Sequence, residues 1–314
     1  MKNLHRPTRF DGFVGQAEIK TTLKTMVSAA KLRQQALDHI LFNAHQGQGK
    51  TTLATILAHE TKRPIRYSQG AMLREKSELL LLLSGLSDQQ LVFIDEIHSL
   101  NSKLSEILYI AMEDRLIDVV LGYGSEQKII RLELPPFTLI GATTKIEQIP
   151  LPFQNRFGLI AQFKPYSLDD MMEIIRQNAQ QLKLTLPSKV MRLVVDYADQ
   201  NPRIAINILR RLADFIEVEK PTLINPAFVK KVLSSIGLHL GGVNPIQITY
   251  LKVLASFPHQ TWISLATIAK LVNQSPVYVV SQLEPLLLGH KLIVKSTRGR
   301  QISELGRKYL SEPH

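Results

Sequence analysis

The 314-residue chain contains no cysteine. That excludes disulfides and thiolate metal sites, and it leaves the redox compartment unreadable from thiols. No apolar run is long enough to span a bilayer. The opening residues, MKNLHRPTRFDGF, lack the apolar stretch of a signal peptide, so a cytosolic location is expected. The nine histidines fall in no HxxxH or HExxH spacing, and no serine lies in a nucleophile elbow. Acid is scarce relative to base: 27 Asp+Glu against 38 Lys+Arg, a formal charge of +11. Such an excess favours a polyanionic partner, whether nucleotide, DNA, RNA or a membrane surface. Residues 240–314 hold eight Lys/Arg against three Asp/Glu, nearly half of the excess on about a quarter of the chain.

Two stretches carry chemistry. Ala44–Thr51, AHQGQGKT, lies between an apolar strand (His39–Phe42) and a helical run (Thr51–Glu60). A Gly-rich turn in that place points backbone N–H groups at a polyphosphate on a helix N-terminus. Lys50 would reach the β/γ-phosphates and the Thr51 hydroxyl would sit on Mg²⁺. Some 40 residues on, LVFIDE is an apolar strand ending in two carboxylates. Asp95 would hold the magnesium shell, and Glu96 would position or deprotonate water. The bland alternative is a Gly-rich turn that binds nothing; the order strand–loop–helix–strand–acid pair argues against it.

The rest of the chain supports an α/β ATPase domain with a parallel sheet at 1–166, a small helical domain at 167–238 and a winged helix at 239–314. Leu79–Leu83 reads as a buried helix, because leucine is not β-branched. Leu116–Leu121 and Lys128–Leu134, separated by GYGSEQ, read as a hairpin. Phe137–Gly141 is a strand running into Thr143-Thr144. Thr144 is either a γ-phosphate sensor at a strand end or a plain turn residue. PLPFQNRFG, residues 150–158, is a Pro-rich break. Its Arg156 is either a solvated arginine or a finger supplied in trans, and spacing cannot decide. Helices are expected at 168–182, 188–199, 203–218 and 226–236. Arg203 opens the third, where the macrodipole disfavours a cation unless an anion pairs with it; a surface arginine is the alternative. After a Gly-rich linker, three helices near 246–256, 264–272 and 276–288 precede a basic hairpin. It carries Lys295, Arg298 and Arg300 and is either a DNA-contacting wing or a solvated turn. His98, after the acid pair, reads as a packing or orienting residue.

Taken together, RPTRFDGFVGQ, AAKLRQQALDHILF, VFIDEIHSLN, AMEDRLIDVVLG, LPPFTLIGATT, RFG, NPRIAINILRRLADF and LEPLLLGHKLIVKSTRGR resemble, in order, the RuvB family of AAA+ ATPases, the bacterial Holliday-junction branch-migration motors. The resemblance covers nearly the whole chain, and LPPFTLIGATT is close to diagnostic. It implies ATP and Mg²⁺ as cofactors, with His5, Arg6, Gly47, Gly49, Lys50, Thr51, Thr52, Glu113, Asp114, Arg115, Tyr166 and Arg203 at the nucleotide. It implies Lys50, Asp95, Glu96, Thr144 as first sensor and Arg156 as arginine finger in catalysis. Thr51 and Asp95 would hold the metal, and Lys295, Arg298 and Arg300 of the wing would contact DNA. It further implies a homohexameric ring on duplex DNA at four-way junctions, docked through the 116–134 hairpin to a RuvA-like partner, with no membrane role. A turnover-impaired DNA-binding scaffold and another AAA+ machine, such as a clamp loader or helicase loader, are the competing readings.

Three departures stand out. The family's GPPGLGKT is AHQGQGKT here, its arginine two residues before the finger is Gln154, and its GTPR is QNPR. A Cβ at residue 44 is expected to cost about 1 kcal/mol if φ there is positive.

Overall fold

The computed structural model describes residues 6–121, 128–259 and 261–311. Two compact units divide the chain, one ending at Asp170 and the next beginning at Met171. The first contains, in order, α1 (Ala17–Arg33), β1 (Ile40–Asn43), α2 (Lys50–Thr61), β2 (Ile65–Gln69), α3 (Lys76–Leu83), β3 (Gln90–Asp95), α4 (Ser102–Asp114), a hairpin of β4 (Leu116–Leu121) and β5 (Lys128–Glu133), β6 (Phe137–Thr143), α5 (Leu151–Gln154) and β7 (Leu159–Gln162).

Five strands form one sheet in the order β2-β3-β6-β1-β7, and every pairing is parallel. Parallel sheets are covered on both faces, which explains the unbroken apolar runs of β1, β3 and β6. Successive side chains alternate between two cores. Leu41, Val92, Ile94 and Leu139 pack with Leu79 and Leu83 of α3 and with Leu104, Leu108 and Ala111 of α4. Ile40, Phe42, Phe93 and Ile140 pack with Leu23 and Val27 of α1 and with Leu53 and Ile56 of α2.

Sequence and structure part in a few places. Only Leu79 and Leu83 of the five leucines are fully buried, and Leu81 is exposed, because one helix has one inward face. The Pro-rich break contains α5, with proline in its first turn, where a missing N–H costs nothing. β7 is too short and too mixed in polarity to announce itself. The tip of the 116–134 hairpin lies outside the described residues.

The second unit carries on from α6 (Leu168–Gln181) through α7 (Ser188–Ala198), α8 (Pro202–Glu219), α9 (Pro226–Ser235), α10 (Pro245–Ala255) and α11 (Leu265–Leu271). A composite helix follows: α12 (Pro276–Tyr278), a π-helical segment (Val279–Leu283) and α13 (Glu284–Gly289). Then come the hairpin of β8 (Ile293–Ser296) and β9 (Gly299–Ile302), and α14 (Glu304–Ser311), a helix that the sequence analysis does not anticipate. Three of these helices start at Asn-Pro. Asn201, Asn225 and Asn244 each accept a backbone N–H from the first turn while the proline occupies the first helical position.

His39, just ahead of β1, ties the sheet to the end of α4. Its Nδ1 accepts from the Leu139 amide at 2.9 Å, so Nε2 carries the proton and donates to the Met112 carbonyl at 3.2 Å. Burial lowers its pKa below the usual histidine value. The unfolded chain therefore binds the proton more readily, and this contribution to stability is lost as pH falls through about 6.5. We expect urea midpoints of the wild type to drop between about pH 7.5 and 5.5. His39→Asn, whose amide oxygen can replace Nδ1 as acceptor, should drop less. Parallel curves would show that His39 does not contribute.

Candidate nucleotide site and wing

Strand register assembles the site. Asn43 at the end of β1 pairs with Thr143 at the end of β6, and Ile94 near the end of β3 pairs with Gly141. The loop after β1, the acids after β3 and Thr143-Thr144 after β6 therefore share one carboxyl edge. Ligands of open parallel sheets bind at such an edge.

The phosphate loop is built on two left-handed glycines, Gly47 (φ 87°) and Gly49 (φ 95°), the second capping α2. Ala44 is not among the positive-φ residues. It is buried, and its amide donates to the Thr143 carbonyl at 3.1 Å. The strain expected from the missing first glycine is therefore absent. Lys50 is the first residue of α2 and only 7 % exposed. Its Nζ donates to the Ala44 carbonyl at 2.7 Å and the His45 carbonyl at 3.3 Å. The cation is thus held over the loop that would receive phosphate. Thr51 and Thr52 follow, half-buried in the first turn. Tyr166 closes the back of the loop, its buried hydroxyl donating to the Gln48 carbonyl at 3.0 Å. Burial raises its pKa, so it stays a neutral donor. Arg6 is exposed, and His5 lies outside the described residues.

Glu96 is held more tightly than the sequence suggests. Its backbone is left-handed (φ 48°, ψ 50°), a conformation costing roughly 1–2 kcal/mol for a non-glycine residue and typical of functional sites. Oε2 accepts from the Thr144 hydroxyl at 3.0 Å and the Thr144 amide at 3.3 Å. His98 Nδ1 lies 3.2 Å from the same oxygen and 2.9 Å from Thr143 Oγ1. Burial pushes the His98 pKa down although the Glu96 charge pulls it up. Thr144, read from sequence as either sensor or turn residue, is bonded to the Glu96 carboxylate. Asp95 accepts the Glu96 amide at 3.1 Å. Gly70 was not visible from sequence. A Cβ there would come within 2.4 Å of the Glu96 carbonyl oxygen. Only its position after β2, at the same carboxyl edge, could have pointed to it.

No group of three or more His, Cys, Asp or Glu among the described residues could hold a metal alone. A magnesium ion delivered with nucleotide needs only one or two carboxylates and keeps phosphate oxygens and water as its other ligands; the Thr51 hydroxyl and the Asp95 carboxylate would be its protein donors.

Arg156 lies elsewhere. It sits three residues before β7, whose first residue Leu159 pairs with Ile40 at the start of β1. The phosphate loop follows the other end of β1. Four strand residues at about 3.3 Å rise put roughly 13 Å between those levels. Arg156 therefore belongs to the amino edge of the sheet. There its Nη2 donates to Tyr109 Oη at 2.7 Å and pairs with Glu113 at 2.7 Å, and its guanidinium carbon stands 4.5 Å over the Tyr109 ring. The pair is partly exposed, and such pairs add little to fold stability. Arg115 is on the same edge, lining a groove with His39 and Phe137. Glu113, Asp114 and Arg115 are not brought to their own chain's phosphate loop.

Arg203 is exposed in the first turn of α8, in the second unit. In the wing, Lys295 and Arg298 are exposed, but Arg300 is only 8 % exposed. Its Nε donates to the fully buried Glu284 at 2.6 Å, with Nη2 at 3.3 Å from the other oxygen. Tyr250 Oη donates to Glu284 at 3.2 Å. A buried carboxylate needs such a partner, and a buried pair broken on one side is strongly destabilising. Arg300, expected from sequence at the DNA, is thus held in a buried ion pair that fastens the wing.

A parallel sheet with a phosphate loop, an acid pair and a threonine on adjacent strand ends defines a P-loop ATPase of the AAA+ class. Residues 5–163 match the family model described as Holliday junction DNA helicase RuvB P-loop domain, 166–239 the RuvB AAA lid domain, and 240–311 the RuvB C-terminal winged helix domain. The chain belongs to the RuvB family. It is 41% identical over 307 residues to the Holliday junction branch migration complex subunit RuvB of Mesomycoplasma hyopneumoniae, covering 98% of this chain and 96% of that one. The corresponding subunit of Mycoplasmopsis pulmonis is 39% identical over 305 residues, covering 97% of each. Among solved structures, the Thermotoga maritima RuvB Holliday junction branch migration motor superposes with a TM-score of 0.82 at 29% identity, covering 98% of this chain and 99% of that one.

Gly70→Ala should leave nucleotide binding within about twofold yet lower turnover at least about tenfold, by displacing Glu96. Ala44→Gly should change neither, since residue 44 has no left-handed strain to relieve. Turnover of Gly70→Ala equal to wild type would remove the steric role given to Gly70.

Proposed function

We propose that the chain is an ATP-driven DNA motor that moves four-way junctions, working as a homohexamer with a RuvA-like partner in the cytoplasm. The convergence of Lys50, Asp95, Glu96 and Thr144 on one sheet edge, with Arg156 on the opposite edge, carries this reading. Backbone amides of the loop and Lys50 cradle the phosphates, and Arg6 and Tyr166 add nucleotide contacts from the same unit. Thr51 and Asp95 would hold magnesium, which would supply charge neutralisation at the phosphates. Glu96 Oε2 is occupied by Thr144, which leaves Oε1 to orient the attacking water and receive its proton. The water oxygen bonds to the γ-phosphorus as the bridging bond to ADP breaks. Arg156, out of reach of its own loop, serves a neighbour's γ-phosphate in a ring. This neighbour dependence favours an oligomer over a lone subunit.

Ile130 and Leu132, on one face of β5, are 48 % and 36 % exposed. They offer the apolar surface for the partner, while Asp118 and Arg131 pair on the other face. Lys295 and Arg298 of the wing meet DNA phosphates. No helix among the described residues is long and apolar enough to cross a membrane.

Steady-state ATP hydrolysis with and without duplex DNA tests the motor, with Lys50→Ala as the blank. DNA should raise turnover, and Glu96→Gln should bind ATP without hydrolysing it. DNA binding with turnover no higher than the blank would favour a scaffold on DNA instead. The wing is tested by the salt dependence of DNA affinity. Arg298→Ala should flatten the log–log slope by about 0.9, one phosphate contact's worth. A Glu284→Leu/Arg300→Leu pair, which removes the buried ion pair whole, should leave the slope within about 0.3 of wild type.

A further inference from the structure

Tyr109 and Glu113 stand on one face of α4, four residues apart, and both engage a single nitrogen of Arg156. The guanidinium carbon stands 4.5 Å over the centre of the Tyr109 ring. Arg156 Nε is buried and has no hydrogen-bond partner; Nη1 makes no hydrogen bond among the described residues. An arginine placed for stability would satisfy its buried donor, since an unpaired one is costly. The loop bearing it is fastened too. Gln154 donates to the carbonyls of Ile146 and Ile149, at 3.1 and 2.8 Å. Gln154, where the family has arginine, therefore acts as a neutral brace, and it adds no second cation beside the finger.

We propose that Tyr109 and Glu113 are positioning residues for Arg156, holding its guanidinium by Nη2 so that Nη1 is left for a neighbouring subunit's terminal phosphate. The inference rests on the reading of Arg156 as a finger in trans. It also gives Glu113 a role that a carboxylate can fill. An anion repels phosphate, so Glu113 acts on the nucleotide through the arginine rather than by touching it.

A double-mutant cycle tests this on the full-length protein with ATP and duplex DNA, reading kcat and KM separately. Arg156→Ala should lower kcat by about 10³-fold or more, the effect of a lost arginine finger. Tyr109→Ala and Glu113→Gln should each lower kcat by at least about tenfold with KM within about twofold, and Tyr109→Phe, which keeps the stack and loses the hydroxyl, should fall in between. Added to Arg156→Ala, neither substitution should lower kcat more than about twofold further, because the group they position is gone. Equal losses in both backgrounds would mean a general structural role and would overturn the proposal, as would unchanged kcat in the single variants. An Arg156→Ala protein with wild-type kcat would instead sink the finger itself, a separate outcome.

Discussion

Backbone pairing of β6 with β1 on one side and β3 on the other is the constraint from which the nucleotide site follows. β6 sits between the strand that delivers the phosphate loop and the strand that delivers the acids. Its register sets the loop's Ala44 amide on the Thr143 carbonyl and brings Thr144 onto Glu96. A slip of one residue would exchange the two cores, so burial of Ile140 on one face and Leu139 on the other locks the catalytic geometry into fold stability.

The two edges of that sheet divide the chemistry. The carboxyl edge collects cation, acids and threonine on its own phosphate loop. The amino edge carries Arg156 with Tyr109 and Glu113, and close by the Arg115 groove and His39. One strand length separates Arg156 from the phosphate loop of its own chain. His39 touches both β6 and the last turn of α4, the helix that carries Tyr109 and Glu113. The hairpin grows directly from the end of that helix.

In the second unit a different device dominates. Glu284 is a buried charge at the seam between the π-helical segment and α13, and Arg300 and Tyr250 satisfy it. The wing's shape depends on that pair; Lys295, mostly on the surface, reaches the same carboxylate at 3.6 Å, and Arg298 stays exposed. Two neighbouring arginines in one basic turn thus do different work, and burial alone separates them.

The sequence by itself determined much of this protein. GxGKT after a strand, DE at the end of another, Asn-Pro at three helix starts and the basic turn are local signals, because each acts through residues adjacent in the chain. They place nearly every element and mark Lys50, Asp95 and Glu96. Only the tertiary structure decided the rest. Ala44 proved unstrained because its φ depends on the β6 carbonyl it meets, 99 residues away. Thr144 became a partner of Glu96, Gly70 a support beneath it, and Arg300 a buried clamp. Arg156, ambiguous as a lone loop arginine, is set on the far edge of the sheet by β7. These outcomes depend on contacts between residues distant in sequence, where strand register and burial choose among roles that spacing leaves equal.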